Sequence, residues 1–405
     1  MTNLPQGWEV KKLGEIGEIV TGSTPSKSNL DFYGKDYPFF KPSDFEQGYF
    51  LENAGDNLSK LGFDKARQLP PKTILVVCIG SLGKVALTRV IGSCNQQINA
   101  IIPHKNIIAE YIYYYCISSK FQSILFSKAP QTTLAILNKT EFSKLEIIYP
   151  KDIKEQERIV GILDESFAKI DESIKILEQN LLNLDELMQS ALQKAFNPLK
   201  DNAKENYKLP QSWEWKSLGE IGEIITGTTP SKNNPNFYGN EYPLFKPSDL
   251  NGDMIIKYAS DNLSKLGFDN ARNLPKDTIL VVCIGASIGK VGLSGVNGSC
   301  NQQINAIIPN SAFTSKYLFF VCLSNYFQEI LKNNASQTTL PIINKTEFSK
   351  LQIPLPPIKE QEQITSHLDE LSSHVKNLKQ NYQAQIKDLQ ELKNSLLDKA
   401  FKGNL

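Results

Sequence analysis

The chain carries one long sequence unit twice, with about 205 residues between equivalent positions. Residues 92–103 recur unchanged as residues 298–309, and residues 138–145 recur as residues 344–351. Solenoids and propellers repeat units of about 20–50 residues, so this period is too long for either architecture. The repeat therefore predicts two copies of a whole domain, each followed by its own C-terminal segment.

Each copy ends in a stretch with the apolar spacing of a long helix. From Ile153 to Phe196, apolar residues recur at alternating steps of three and four over about five heptads, which is typical of a coiled coil. Asp152 is the predicted N-cap, and Glu155 is placed as in a capping box. A helix with such a stripe needs a partner in water. The predicted seam includes Leu163, Ile170, Ile174, Leu177, Leu181, Leu184 and Met188.

The partner helix is predicted in the same chain, over residues 358–401. Its first residues, 358–362, repeat residues 153–157, which disfavours the alternative of two unrelated amphipathic helices. After Tyr382 a four-residue step predicts a stutter that locally unwinds the supercoil. Because the first helix leads into the second domain and the second helix must return, the pair is predicted to be antiparallel. The second seam includes Leu368, Val375, Tyr382, Leu389 and Leu396.

These features predict an α+β fold class. Two similar mixed α/β domains are separated by a long antiparallel two-helix coiled coil and related by a pseudo-two-fold axis. Buried strands are predicted at 73–79, 98–102 and 145–149, and helices at 107–126 and 313–332. The predicted division is a first domain at 1–152, a spacer helix at 153–197, a linker at 198–208, a second domain at 209–357 and a second spacer helix at 358–405.

Charge is spread unevenly along a chain whose net charge is only +1. Lys and Arg number 17 against 14 Asp and Glu over residues 1–152, 5 against 9 over 153–197, and 12 against 11 over 209–357. This is not the strongly basic footprint of a protein that grips DNA alone. Any nucleic-acid role must work with weak electrostatics or use the charge of a partner.

Composition and local motifs exclude several functional classes. The first residues lack the apolar core of a signal peptide and no apolar run reaches the length of a membrane span, so we expect a cytoplasmic protein. The six cysteines form three repeat-equivalent pairs without a Cys-x-x-Cys motif, which favours buried reduced thiols over a zinc site. The repeat equivalents are Cys78 with Cys283, Cys94 with Cys300, and Cys116 with Cys322.

No catalytic motif is found in the sequence. Residues 80–84 resemble a phosphate loop, but the spacing between the glycines is two residues in one copy and three in the other. A Walker A loop needs four, so a tight turn carrying a lysine is the favoured interpretation. The sequence also lacks a nucleophile elbow, a glycine-rich cofactor motif and a cluster of His, Cys and carboxylate residues. The chain is therefore predicted not to be an enzyme.

Polar loops that occur in both copies are the candidate binding sites. Asn, Gln, Lys, Ser and Thr side chains read base edges and hold phosphates in protein–DNA complexes. Residue by residue, turn chemistry and helix capping remain the favoured explanation, whereas the repetition of the whole set favours a shared function. The candidates are Thr24, Ser26, Lys27, Lys41, Ser43, Lys84, Gln131 and Thr132 in the first copy, and Thr229, Ser231, Lys232, Lys246, Ser248, Lys290, Gln337 and Thr338 in the second.

Over nearly its whole length the chain resembles the specificity subunits of type I restriction-modification enzymes. The resemblance is carried by Trp8 and Trp213, each six residues before a glycine, by the Thr-Gly-x-Thr-Pro-Ser loops, and by the paired long helices. The most specific motif is Pro-Leu-Pro-Pro-Ile-x-x-Gln at residues 354–361. The first copy departs from the double proline, with Lys151 and Asp152 following Pro150. That departure affects the start of the helix.

The resemblance implies a DNA-binding, non-catalytic subunit of a phage-defence complex. Each of two target-recognition domains would read one half of a split site in double-stranded DNA. The coiled coil would dock two methyltransferase subunits, which endonuclease subunits with translocase activity would join. S-adenosylmethionine, ATP and Mg would come with those partners, and no cofactor is expected in this chain. Partners could also supply most phosphate contacts, which fits the weak positive charge.

Two alternatives from other classes stay open at this point. One is a coiled-coil scaffold with two protein-binding heads and no DNA role. The other is a single-chain enzyme with a duplicated catalytic domain, against which the missing site residues argue. Under the DNA-binding interpretation, the near-duplication of the loops predicts a nearly palindromic target.

Overall fold

The computed structural model describes residues 4–129, 135–196, 212–310, 313–336 and 340–405. The chain divides into two compact units, Met1–Leu177 with Gln383–Leu405, and Glu178–Tyr382. Each unit contains one globular domain, which we call a head, together with part of both long helices. The predicted α+β class, with two mixed heads and paired long helices, is confirmed.

Among the described residues, the first head contains ten strands and five short α-helices. Its strands are β1 (Trp8–Lys12), β2 (Gly17–Thr21), β3 (Tyr33–Phe40), β4 (Phe50–Leu51), β5 (Asp56–Leu58), β6 (Ile74–Val77), β7 (Val85–Thr88), β8 (Ser93–Cys94), β9 (Ile98–Pro103) and β10 (Glu146–Pro150). Its helices are α1 (Leu13–Ile16), α2 (Lys60–Lys65), α3 (Ala109–Ile117), α4 (Ser119–Lys128) and α5 (Lys139–Ser143), and the first long helix is α6 (Ile153–Phe196).

The second head repeats these elements in the same order. Its strands are β11 (Glu214–Ser217), β12 (Gly222–Thr226), β13 (Tyr238–Phe245), β14 (Ile255–Ile256), β15 (Asp261–Leu263), β16 (Ile279–Val282), β17 (Val291–Ser294), β18 (Ser299–Cys300), β19 (Ile304–Pro309) and β20 (Gln352–Leu355). Its helices are α7 (Leu218–Ile221), α8 (Lys265–Asp269), α9 (Ser315–Leu323), α10 (Asn325–Asn333) and α11 (Lys345–Ser349), and the second long helix is α12 (Ile358–Ala400).

The sheets of the two heads have the same topology. In the first head, a five-stranded sheet has the order β2-β9-β6-β7-β4, a three-stranded sheet has the order β5-β3-β8, and β1 pairs with β10. The second head repeats this arrangement strand for strand. Strand β6, whose residues are all aliphatic, is buried along its whole length, as is its counterpart β16. The sequence repeat is therefore a repeat of the whole fold.

The predicted helices at 107–126 and 313–332 are wrong in one respect, because each is two helices. The break falls at Ser118 in the first head and at Ser324 in the second. Each serine accepts a hydrogen bond from a backbone N–H three residues later, which starts a new helix in a new direction. Helical periodicity alone does not reveal such a break, because both halves keep apolar faces.

A buried glutamine joins each long helix to its head. Gln156 accepts a hydrogen bond from the Ile108 N–H at 2.9 Å and donates one to the Pro150 carbonyl at 2.9 Å. Gln361 makes the equivalent bonds at the start of α12, with the N–H of Thr314 and the carbonyl of Pro356. At the start of α6, the Asp152 carboxylate accepts a bond from the Lys154 N–H, as expected of an N-cap. The repeated Ile-Lys-Glu-Gln-Glu motif is therefore a structural joint.

The long helices are antiparallel within each unit. In the first unit, Arg158 reaches the backbone of Leu405 while Lys393 pairs with Asp171, so residue numbers rise on α6 as they fall on α12. In the second unit, Lys379 pairs with Asp185, and residues 192–196 share a core cluster with Leu368. All the predicted seam residues are buried or half-buried, namely Leu163, Ile170, Ile174, Leu177, Leu181, Leu184, Met188, Leu368, Val375, Tyr382, Leu389 and Leu396.

The predicted stutter in α12 is absent. The partly buried stripe runs through Lys379 and Lys393, which lie in heptad step with Tyr382, Leu389 and Leu396. Counting apolar residues alone made the stripe look interrupted. Leu378, which seemed to continue the seam, is instead 40% exposed. Each seam lysine is neutralised by an aspartate of α6. A polar residue on a coiled-coil seam fixes register at some cost in stability.

This arrangement predicts opposite effects for two substitutions of Lys393. Lys393→Leu should raise the thermal midpoint, because an apolar residue replaces a charge that costs desolvation on the seam. Lys393→Asp should lower it, because a second carboxylate would face Asp171. Since Asp171 is 61% exposed on its side chain, solvent screening limits the loss to about 1 kcal/mol. Thermal denaturation of the full chain measures both, and the double variant Asp171→Lys/Lys393→Asp should recover most of the loss.

Candidate nucleic-acid interface

The duplicated polar motifs meet at one edge of each head. In the first head, the N–H of Asn95 donates to the Phe40 carbonyl at 3.1 Å, next to the loop that begins at Lys41. Gln97 Nε2 donates to the Ile79 carbonyl at 3.4 Å, beside the turn between β6 and β7. The same contacts recur in the second head, from Asn301 to Phe245 and from Gln303 to Ile284.

A glycine brings one further loop against this edge. An added Cβ at Gly22 would lie 2.1 Å from the Asn95 carbonyl oxygen, and one at Gly227 would lie 2.2 Å from the Cys300 oxygen. Only glycine therefore allows the Thr-Gly-x-Thr-Pro-Ser loop to approach the Asn-Gln-Gln turn this closely. We call the surface formed by residues 22–27, 41–47, 80–84 and 95–97, with its second-head equivalent at 227–232, 246–252, 285–290 and 301–303, the loop surface.

The Asn-Gln-Gln turn presents one exposed amide to solvent. The side chains of Asn95 and Gln97 bond each other at 2.8 Å and serve the turn itself. Gln96 is exposed and accepts a hydrogen bond from the Thr24 hydroxyl, and Gln302 does the same with Thr229. Gln96 and Gln302 were not among the predicted contact residues, although their motif was recognised. The sequence signal that could have selected them is the alternation of inward and outward side chains within a tight turn.

A buried aspartate holds the Lys-Pro-Ser-Asp loop in place. The Asp44 carboxylate accepts hydrogen bonds from the N–H groups of Lys41 and Gly55, at 2.7 and 3.0 Å. Asp249 accepts the equivalent bonds from Lys246 and Ser260. This aspartate is structural, whereas the serine before it, Ser43 or Ser248, faces solvent.

Most lysines of the loop surface already have an oxygen partner. Lys41 pairs with Asp56 and Lys246 with Asp261, and the Lys246 ammonium holds the pKa of the Asp261 carboxyl below its usual range. These two lysines are therefore less free to attract a phosphate than an unpaired lysine would be.

The turn between β6 and β7 carries a third lysine, which differs between the heads. Lys84 lies 3.5 Å from a carboxylate oxygen of Glu46, whereas Lys290 donates to the Pro247 carbonyl at 3.3 Å. At the tips of the loops, Lys27 and Lys232 are exposed, and neither forms an ion pair with a residue that the structure describes. These two lysines have the most freedom to meet a phosphate.

Twelve of the sixteen predicted contact residues belong to the loop surface. Ser26, Lys27, Ser43, Ser231, Lys232, Ser248 and Lys290 are exposed, as is Thr24, while Lys41, Lys84, Thr229 and Lys246 are half-buried. The remaining four, Gln131, Thr132, Gln337 and Thr338, lie outside the described residues. Their neighbours do reach the same edge, because the N–H of Gly80 donates to the Ala135 carbonyl.

Other candidate chemistry finds no support in the described part of the chain. Residues 80–84 form the hairpin turn between β6 and β7, with Gly83 at a φ of 90°. All six cysteines are buried free thiols, and burial raises the pKa of Cys78 and Cys283 to about 12. No group of three potential metal ligands is assembled among the described residues. None of the described helices is long and apolar enough to cross a membrane.

The outer faces of the long helices carry a second kind of surface. In the first unit, Ile176 and Leu392 are 55% and 47% exposed. In the second unit, Leu182, Leu187 and Leu378 are 58%, 48% and 40% exposed. These side chains lie outside the helix seam and are available to a partner that covers this face.

The fold and these surfaces define a recognition protein with two equivalent heads on paired long helices. By sequence, the chain belongs to the family of type I restriction modification DNA specificity domains, which match residues 5–182 and 210–388. Its role is recognition of DNA sequence within a type I restriction-modification system. The non-catalytic role is supported by relatives named as specificity subunits.

Curated relatives match one copy or both. The HindI specificity subunit of Haemophilus influenzae is 37% identical over 191 residues, which is 46% of this chain and 42% of that protein. The MjaIX specificity subunit of Methanocaldococcus jannaschii is 25% identical over 99% of this chain and 94% of that one. The StySPI specificity subunit of Salmonella potsdam is 24% identical over 99% and 90% of the two chains.

Two solved structures share the fold. A chain from a study of complex assembly and conformational transition of the type I restriction-modification system superposes with a TM-score of 0.81 at 20% identity, over all of both chains. The HsdS subunit from Thermoanaerobacter tengcongensis has a TM-score of 0.58 at 21% identity, over 100% of this chain and 98% of that one.

Proposed function

We propose that this chain reads a bipartite, nearly palindromic site in double-stranded DNA, with one half-site for each head. The observation that carries the proposal is that the two loop surfaces share most of their residues and hydrogen bonds. Two heads that present the same donors and acceptors select the same bases. Protein symmetry then maps onto sequence symmetry, as it does for dimers on palindromic operators.

The proposed contacts divide into two kinds. Lys27, Lys232 and Lys290 are exposed and suit phosphates, which position a protein without reading sequence. Thr24, Gln96 and their equivalents present hydroxyl and amide groups that suit base edges. We assign Gln131, Thr132, Gln337 and Thr338 to the same proposed interface from their sequence repetition alone.

We further propose that two methyltransferase subunits dock on the helix pair, one for each unit. The support is that each unit carries its own exposed leucine or isoleucine side chains on the outer helix faces. Endonuclease subunits with translocase activity would join that complex in the cytoplasm. S-adenosylmethionine, ATP and Mg would be bound by those partners, which would also supply phosphate contacts that these nearly neutral heads lack.

We also propose which residues form the heads and which form the spacer helices. Residues 1–152 and 209–357 form the two reading heads, and 153–197 and 358–405 form the spacer helices. The linker proposed at 198–208 lies outside the described residues.

The test is methylome sequencing of cells that carry the complete system, compared with cells in which this gene is deleted. We expect one modified motif that depends on the gene and whose halves are close to reverse complements, with symmetry broken at about one or two positions in each half. Residues 45–52 and 250–257 differ between the heads and are the proposed source of that asymmetry. Unrelated half-sites would show that the shared loops serve the fold. If a reconstituted complex does not retain DNA in a sequence-specific way, the alternative of a coiled-coil scaffold with two protein-binding heads is favoured.

A further inference from the structure

An ion pair of the same composition stands at the end of strand β3 and of its counterpart β13. Lys41 contacts Asp56, and Lys246 contacts Asp261. The two lysine side chains are 28% and 25% exposed, and the two aspartates are 47% and 33% exposed. Each pair is therefore held by its surroundings and remains open to a ligand.

The loop does not depend on this ion pair for its position. Asp44 already ties Lys41 to Gly55 through their backbone N–H groups, and Asp249 does the same in the second head. A partly exposed ion pair adds only about 0–1 kcal/mol to stability. The loop would therefore keep its position if the pair engaged a ligand.

A phosphate is a poor partner for this pair. The aspartate neutralises the lysine and repels an anion, whereas Lys27 and Lys232 are exposed and form no close ion pair among the described residues. The Lys232 charge acts on Asp261 only as a minor contribution to its lowered pKa. What the pair offers is a donor directly beside an acceptor. In the second head, the hydrogen bond from Lys246 lowers the pKa of Asp261. This carboxylate therefore stays ionised and can only accept hydrogen bonds.

A donor beside an acceptor matches a base-pair edge that offers an acceptor beside a donor. Adenine offers N7 beside its N6 amino group, but the contacts typical of lysine and aspartate are to guanine O6 and N7 and to cytosine N4, which favours G·C. In the major groove, guanine presents only acceptors, O6 and N7, and the paired cytosine presents an amino donor next to O6. Lysine donates to the first and aspartate accepts from the second. We propose that each Lys–Asp pair reads one G·C base pair, so that both half-sites contain a G·C pair at the equivalent position. This inference rests on the proposed DNA-recognition function.

The second head shows space for such a contact. A groove of about 450 Å³ opens beside Asp261 and is lined by Lys232, Tyr238, Asn240 and Asn262. Its lining includes the polar side chains of Asn240, Ser260 and Asn262, and Lys232 stands where a flanking phosphate could be met. The groove therefore joins the ion pair to the loop surface.

The lysine in the turn between β6 and β7 indicates where the two half-sites should differ. Lys84 faces Glu46 in the first head, whereas Lys290 faces the Pro247 carbonyl in the second. The Lys–Asp pair is kept in both heads while this contact is not. The G·C position should therefore be common to the halves, and asymmetry should arise elsewhere.

The experiment is methylome sequencing of cells in which the complete complex carries Asp56→Asn, Asp261→Asn or neither. Asp56→Asn removes the carboxylate of the first head and should lower discrimination at the G·C position of one half-site about tenfold. Asp261→Asn should have the same effect in the other half-site only. The double variant Lys41→Asp/Asp56→Lys keeps the ion pair and reverses donor and acceptor. It should shift the preference at that position from G·C towards C·G.

Asp64→Asn is the matched control, because the Lys60–Asp64 pair is also repeated in the second head, as Lys265–Asp269, but lies within α2 and includes no residue of the loop surface. It should leave the motif unchanged. A gene-dependent motif without G·C at equivalent positions, or one that neither Asp56→Asn nor Asp261→Asn alters, overturns this inference and leaves DNA recognition standing. If cells with the wild-type complex show no gene-dependent motif, both this inference and the proposed DNA-recognition function are overturned.

Discussion

Insertion of one heptad into each long helix is expected to lengthen the gap of the modified DNA motif by about three base pairs. Helices α6 and α12 are continuous over 44 and 43 residues, and each is shared between the two units. Seven residues add about 10 Å to a helix, and DNA rises about 3.4 Å per base pair. Because each head is proposed to read one half-site, a longer helix pair should require a longer gap.

The insertions should repeat the heptad on both helices at the division between the units. A second copy of residues 171–177 after Leu177, with a second copy of residues 383–389 before Gln383, continues both seams without a break. The half-sites themselves should stay the same, since no head residue changes. Insertion into α6 alone is the control, because unequal helices cannot keep their register, and it should abolish modification. An unchanged gap in the doubly extended complex would refute the spacer role.

Much of the fold follows from repetition and periodicity. Each copy corroborates the other, so the strands at 74–77 and 98–103 and the bounds of α6 were predictable. The breaks at Ser118 and Ser324 were not, since a serine that caps the next helix leaves the apolar spacing on both sides intact. The lysines of the α12 seam were also missed, because their burial depends on an aspartate of a helix distant in sequence.

The loop surface was only partly predictable. The repeated motifs identified loops that come together in the fold, but which side chain of a motif is buried and which is exposed depends on tertiary hydrogen bonds. Asp44 looked equivalent to its neighbours and proved to be a buried anchor, while Gln96 proved to be exposed. Likewise, the ion pair of Lys41 with Asp56 joins the loop after β3 to strand β5 and has no local sequence signature.

Substitution of a buried seam leucine should abolish assembly of the complex. Leu184 is 9% exposed on the seam of the second unit, so Leu184→Asp would place an unpaired carboxylate between the helices. The cost is about 3–5 kcal/mol, which is a large part of the stability of a typical domain. We expect a lower thermal midpoint by circular dichroism and loss of co-purification with the methyltransferase subunits. Leu177→Asp and Leu181→Asp should have effects of the same kind but smaller, because both leucines are half-buried.

Leu182→Asp separates loss of docking from loss of folding. Leu182 is two residues from Leu184 and 58% exposed, so a charge there meets water and should leave the thermal midpoint nearly unchanged. If a methyltransferase subunit covers this face, the same change would bury an unpaired charge in the interface and weaken co-purification by about tenfold or more. Normal co-purification of Leu184→Asp would show that the seam is not needed for assembly. Normal co-purification of Leu182→Asp would move the docking surface to another face of the helix pair.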